Sequence, residues 1–155
     1  LDLVEMRVKR LFDDYKEKYN LLFDTGEQYG VALAKTMGLA SFLSDDTKNF
    51  GPHETLVKEL IKDVIPFTFY ELLFLKYINT DMSSANLYKE FEEVNSKSIV
   101  EHPMNFRIRM LTTVRRFSIR YGTERDKKWI NEFCKNRNIN YNKKMLDLKK
   151  LLKNL

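Results

Sequence analysis

The segment from Phe67 to Ile78 constrains the fold most, because it is apolar on nearly every side. A segment of this kind is usually a buried central helix, which other amphipathic helices must cover. Periodicity alone leaves a buried strand open as the alternative. The 155-residue chain holds five glycines and three prolines, which are few for a many-turned β-sandwich or barrel. These features predict an all-α, compact domain of about six to seven helices.

Apolar residues that recur every three to four positions predict the other helices. The loop at 44–54, SDDTKNFGPHE, brings Asp, Asn, Gly and Pro together and is the best candidate for a domain boundary. We expect an acidic N-terminal helical segment at 1–44 and a helical domain at 53–155, unless 1–155 forms one domain. The predicted helices cover 2–23, a segment after Gly30, 53–65, 67–78, 84–94, 104–121, a stretch beginning at Thr123, and a last helix from about Asn142.

The order of three of these helices resembles the core of helix-turn-helix domains. A buried helix at 67–78 is followed by a turn, an amphipathic helix at 84–94 and a basic helix at 104–121. The resemblance implies a helix-turn-helix-like core at about 67–121 in which the basic helix contacts DNA. The connector before the basic helix is longer than the three to four residues usual in that motif.

Charge is distributed unevenly along the chain. Residues 1–96 carry 11 Lys/Arg and 17 Asp/Glu, a net charge of −6, whereas residues 97–155 carry 16 and 5, a net charge of +11. Seven of the nine arginines fall between Arg107 and Arg137. This asymmetry favours a polyanionic partner for the C-terminal part of the chain.

The basic helix at 104–121, MNFRIRMLTTVRRFSIRY, divides into faces when each residue is turned 100° from the last. The predicted core stripe consists of Phe106, Met110, Val114, Phe117 and Tyr121. A flanking band carries Arg, Asn and Thr, the side chains that bond guanine, adenine and phosphate in DNA-reading helices. Arg115 is predicted to point away from the core, and lysines of the next helix extend the basic surface. The predicted nucleic-acid-binding residues are Asn105, Arg109, Thr112, Arg115, Arg116, Arg120, Lys127 and Lys128.

Two other roles fit the same arginines. They can form salt bridges to the acidic N-terminal part of the chain, or they can bind an acidic protein surface. In the second case the protein is a helical interaction or assembly module with oppositely charged surfaces, and self-association is open to it. Membrane binding ranks last, because no predicted helix has a clear exposed face of aromatic and lysine residues.

No catalytic or metal-binding constellation is visible in the sequence. His53 and His102 lie far apart in the chain, and an acidic pair such as Asp13-Asp14 diverges on a helix instead of converging. Cys134 is predicted to be a core thiol, and no glycine-rich phosphate loop is present. We therefore predict a non-enzymatic protein that uses no cofactor and no metal. A single cysteine and the lack of a recognisable signal peptide predict an intracellular location, cytoplasmic or nuclear.

Overall fold

A computed structural model describes residues 2–20, 22–23, 25–44, 61–97, 104–118 and 120–155. Within these ranges the chain forms seven α-helices and two strands of three residues each, which confirms the all-α prediction. The chain divides into two compact units, Leu1–Phe69 and Tyr70–Leu155. The expected boundary loop at 44–54 lies almost wholly outside the described ranges. The division at Phe69 assigns residues 61–69 to the N-terminal unit, although we expected them in a domain at 53–155.

The N-terminal unit contains helices α1 (Leu3–Lys18) and α2 (Thr25–Thr36) and a parallel pair of strands, β1 (Ser41–Leu43) and β2 (Ile65–Phe67). A capping box formed by Asp2 and Glu5 begins α1. Helix α1 buries none of its own residues, so its predicted apolar stripe is largely exposed. The buried cluster of this unit consists of Tyr19, Phe23, Val31, Ala34, Ile61 and Val64.

Two predicted helices of the N-terminal unit differ from the structure. The helix expected at 2–23 ends at Lys18, where the Gln28 side chain donates a hydrogen bond of 2.7 Å to the carbonyl oxygen of Lys16. The helix expected at 53–65 lies mostly outside the described residues, and its described end, 61–65, is not helical. Ile65 instead begins β2, which pairs with a strand more than 20 residues earlier in the chain.

The C-terminal unit is built from helices, and side-chain caps begin the last three of them. Asn105, Thr123 and Asn140 each accept a hydrogen bond from the backbone amide three residues later, at 3.0, 3.2 and 3.0 Å. In chain order the helices are α3 (Phe69–Asn79), α4 (Ser84–Lys97), α5 (Phe106–Arg116), α6 (Glu124–Asn136) and α7 (Tyr141–Asn154).

Helix α3 supplies the centre of the C-terminal unit, which confirms the buried-helix interpretation of this segment over the strand. Its side chains Tyr70, Phe74 and Tyr77 are fully buried. The ring of Phe74 stacks on Phe117 at a centroid distance of 6.1 Å and meets the edge of Tyr141 at 6.5 Å. Aromatic pairs of this geometry each contribute about 0.5–1.5 kcal/mol beyond the area that they bury.

A polar contact fastens α7 to the start of α4. The hydroxyl of Tyr77 lies 2.6 Å from the carbonyl oxygen of Lys144 and 3.0 Å from Oδ2 of Asp147. The same carboxylate accepts a hydrogen bond from the Ser84 amide at 3.0 Å. Burial by itself would raise the pKa of Asp147, but these hydrogen bonds outweigh it and lower that pKa below its ordinary value.

The helix-turn-helix-like core stays a prediction. Helices α3, α4 and α5 follow one another as the resemblance requires. The connector at 98–103, which would define how α5 follows α4, lies outside the described residues.

Candidate nucleic-acid interface

Helix α5 is shorter than predicted and spans Phe106–Arg116 instead of 104–121. Its start is fixed by the Asn105 cap and by Asn95, whose side chain bonds both the amide (2.9 Å) and the carbonyl (3.1 Å) of Met104. Beyond Arg116 the chain leaves the helix and turns. Helical periodicity therefore stops predicting burial at that point.

The buried face of α5 also differs from the predicted core stripe. Arg109 and Arg116, which we assigned to a surface band, are 3% and 9% exposed. Thr113 between them is fully buried, and its hydroxyl donates to the carbonyl oxygen of Arg109 at 2.9 Å. The prediction that the two arginines lie on the surface is wrong, because neighbouring helices of the same unit supply partners for their charges.

Arg109 lies against the ring of Tyr70 in α3. Its guanidinium carbon is 5.1 Å from the ring centroid, and its Nη1 donates to the Tyr70 hydroxyl at 3.4 Å. Both side chains are buried. A desolvated cation over an aromatic face gains about 2 kcal/mol or more, so Arg109 holds α5 against α3.

Arg116 joins three helices through two buried carboxylates. Its Nη1 lies 2.7 Å from Oε2 of Glu71 in α3, and its Nε and Nη2 bond the two oxygens of Asp126 in α6 at 3.1 and 3.3 Å. Arg125 adds a second cation, with its Nε 3.2 Å from Asp126. We call Glu71, Arg116 and Asp126 the Arg116 centre. Glu71 belongs to the acidic part of the sequence, so the salt-bridge alternative is confirmed for Arg116.

The charges of the Arg116 centre stabilise one another against burial. Desolvation would lower the pKa of Arg116, but the charges of Glu71 and Asp126 outweigh it and raise that pKa. Desolvation likewise would raise the pKa of Asp126, and the hydrogen bond and charge of Arg116 lower it. Arg116 and Asp126 are therefore both ionised at neutral pH inside the unit.

Two other arginines near the end of α5 are exposed, and both contact an exposed aromatic ring. The guanidinium carbons of Arg115 and Arg120 each lie over the ring of Tyr121, 5.2 Å from its centroid. Tyr121 is 57% exposed. Its prediction as a member of the core stripe is wrong, because the helix that would have turned it inward ends at Arg116. We call Arg115, Arg120 and Tyr121 the Tyr121 patch.

A tight turn after α5 positions this patch. The hydroxyl of Ser118 donates to the carbonyl oxygen of Arg115 at 2.9 Å and accepts from the Tyr121 amide at 3.0 Å. The Gly122 amide bonds the carbonyl of Ser118 at 3.0 Å. A β-carbon at Gly122 would collide with the carbonyl oxygen of Arg116, so the turn requires glycine at this position. The turn thus brings Arg120 and Tyr121 back beside Arg115.

The remaining predicted binding residues are accessible, but several have local partners. The side-chain oxygen of Asn105 caps α5, and the Thr112 hydroxyl donates to the carbonyl oxygen of Ile108 at 3.0 Å. Lys127 forms a salt bridge of 2.8 Å with Glu124. Lys128 is exposed. A phosphate backbone can reach Lys128, whereas base reading by Asn105 or Thr112 would compete with bonds inside the helix.

Candidate metal ligands and the single cysteine are the reactive side chains that the sequence singled out. The described ranges contain no cluster of three or more His, Cys, Asp or Glu residues that could hold a metal ion. His53 and His102 lie outside them. Cys134 is half-buried, and burial raises the pKa of its thiol, which makes a reactive thiolate less accessible.

Comparison with known proteins does not indicate a function for this chain. No family model matches the sequence, and neither a curated protein nor a solved structure is similar enough to count as a match. Of the helices that the structure describes, none combines the length and the apolar character needed to span a membrane.

Proposed function

We propose that this protein binds nucleic acid, and that the Tyr121 patch is the primary contact. The observation that carries the proposal is the exposed Tyr121 ring with two guanidinium groups, each 5.2 Å from its centroid. A base can stack on this exposed ring by displacing one of the two guanidinium groups that lie over it, and the arginines can then bind the adjacent phosphates. DNA is the expected ligand.

The geometry favours a single strand over base reading in a duplex. Bases can reach an aromatic side chain when they are unpaired, and stacking is tolerant of sequence because every base has a π-face. Reading of a duplex major groove by α5 would have depended on Arg109 and Arg116, which are buried. Lys128 extends the cationic surface along α6 and can contact further phosphates.

The test is a titration of the full chain against a labelled single-stranded oligonucleotide and its duplex, followed by fluorescence anisotropy at two salt concentrations. Tyr121→Ala is expected to weaken single-strand binding by about 1–3 kcal/mol, roughly 5- to 150-fold in Kd. Tyr121→Phe, which keeps the ring, should retain most of the affinity.

Arg137→Ala is the matched control for the arginines of the patch. Arg137 is also exposed and lies 4.1 Å from the centroid of an aromatic ring, Phe133, but it is outside the patch. Arg115→Ala should weaken binding clearly more than Arg137→Ala. Equal losses would mean that net charge alone drives binding, and no binding at low salt would remove the proposal.

The assembly-module alternative is tested in the same samples. Light scattering across a salt series would detect self-association driven by opposite charges. Self-association that salt dissolves, with no response to nucleic acid, would favour that alternative over the proposed function.

A further inference from the structure

A groove on the C-terminal unit is independent of the Tyr121 patch. It runs between α5 and α7 and encloses about 370 Å³. Its floor is apolar and is formed by Leu111 and Val114 of α5 and by Met145, Leu148 and Leu152 of α7. Leu111 is 51% exposed, so an apolar side chain faces solvent at the groove edge.

Three cations border this apolar floor. Arg107 lies on the α5 side, and Lys149 and Lys153 lie one turn apart on α7. All three are exposed, and none of them forms a salt bridge with another described residue. Like charges four residues apart on a helix repel each other, and a carboxylate placed between them would relieve that repulsion.

We propose that the groove between α5 and α7 binds an acidic amphipathic helix of a partner protein. A helix fits between two neighbouring helices by laying one apolar face, with anchors at i, i+3, i+4 and i+7, on the groove floor. Glutamate or aspartate residues along its flanks would then meet Arg107, Lys149 and Lys153. Met145 in the floor can adjust its rotamer to the anchors.

Other occupants fit the groove less well. The floor offers no aromatic ring on which a base could stack, so nucleic acid would gain little there. A small anionic lipid needs a pocket that encloses most of its surface, and this groove is open at Leu111. A second copy could offer α1, whose apolar side chains are exposed, but α1 carries five basic residues against four acidic ones and does not complement a cationic border.

The test uses three synthetic helical peptides and the full chain. The first carries leucines at i, i+3, i+4 and i+7 with glutamates on the flanks, the second has lysines in place of the glutamates, and the third has the first peptide's composition in scrambled order. Anisotropy of labelled peptides should show binding of the glutamate peptide, with weak or no binding of the other two. Equal binding of the glutamate and lysine peptides, or no binding of any, would overturn the proposal.

Variants of the chain locate the binding site. Lys149→Glu with Lys153→Glu should weaken the glutamate peptide roughly tenfold and improve the lysine peptide. Lys150→Glu is the matched control, because Lys150 is exposed on the same helix but does not line the groove. Leu111→Asp should weaken the glutamate peptide as well. Binding that none of these changes alters would place the peptide elsewhere and contradict the proposal.

Two further measurements exclude the other occupants. Anionic phospholipid vesicles should fail to displace the bound glutamate peptide, and displacement that Leu111→Asp abolishes would assign the groove to lipid. If the chain alone self-associates in sedimentation experiments, Leu111→Asp should leave that association unchanged. Loss of self-association in this variant would assign the groove to a second copy.

Discussion

Arg115 and Arg116 are neighbours in sequence, yet one faces solvent and the other is enclosed by carboxylates. Arg116 bonds Glu71 and Asp126 within one unit, whereas Arg115 lies over the exposed ring of Tyr121. Removing the charge of Arg116 would leave two buried carboxylates without the cation that they share. Removing the charge of Arg115 would take no cation away from a buried carboxylate. Arginine content therefore overestimates the size of a binding surface when a buried carboxylate lies close enough to pair with some of the arginines.

The largest expected effect comes from replacing the buried arginine, Arg116. Arg116→Met should lower the free energy of unfolding of the C-terminal unit by about 3–5 kcal/mol, because Glu71 and Asp126 stay buried without the cation that they share, although Asp126 keeps its salt bridge to Arg125. Arg115→Met should change it by less than about 0.5 kcal/mol. Urea unfolding followed by fluorescence measures both, since Trp129 is the one tryptophan of the chain and belongs to this unit.

The next effect concerns the turn that separates the two arginine environments. Gly122→Ala should destabilise the C-terminal unit by about 1–3 kcal/mol, because its β-carbon collides with the carbonyl oxygen of Arg116. Gly30→Ala is the control: it meets Phe42 at an ordinary 3.5 Å inside α2 and should be neutral or slightly stabilising. Thermal unfolding by circular dichroism compares them, and equal midpoints would show that the turn tolerates a side chain.

Acid pH should weaken the Arg116 centre. The folded-state pKa of Asp126 is lowered below its unfolded value of about 3.9, so its stabilising contribution is complete above that value. The contribution is lost as the pH falls through the folded-state pKa. Unfolding free energies measured between about pH 5 and pH 2 should fall less steeply for Asp126→Asn than for the native chain, although Asp147 keeps some slope in both. Equal slopes would contradict the ionised Arg116 centre.

The smallest expected effect concerns two lysines of α6, Lys127 and Lys128, and the salt dependence of binding. Lys128→Ala should reduce the slope of log affinity against log salt for single-stranded DNA by about 0.7, the share of one phosphate contact. Lys127→Ala should change it less, because Lys127 already pairs with Glu124 at 2.8 Å. A titration over several salt concentrations measures both slopes, and a larger change for Lys127 would mean that this local salt bridge opens on binding.

The sequence was enough to predict the all-α class, a buried helix at 67–78, which the structure places at Phe69–Asn79, and the exposure of Arg115. It failed to predict the burial of Arg109 and Arg116, because we assumed that the charged residues of the basic helix lie on its solvent-facing side. A signal was available: Glu71 is a carboxylate inside a nearly all-apolar helix, and a buried carboxylate requires a cation. This signal did not indicate which of the seven clustered arginines would pair with Glu71.

The exposure of Tyr121 and the strand pair were beyond reach for different reasons. Tyr121 was placed in the core by extending a helix past its end at Arg116, where the turn at Ser118 and Gly122 breaks the periodicity. The strands β1 and β2 are three residues long and pair across a large sequence separation. Alternation over three residues gives no usable pattern.

We infer that the exposed arginines bind nucleic acid, whereas the buried ones hold the C-terminal unit together. The most direct measurement determines, for the double variant Arg115→Ala/Arg120→Ala, both the Kd for single-stranded DNA and the free energy of unfolding. We expect the Kd to be weakened roughly tenfold or more, with a change in unfolding free energy below about 1 kcal/mol. Native affinity in this variant would contradict the claim, and so would an affinity loss accompanied by unfolding.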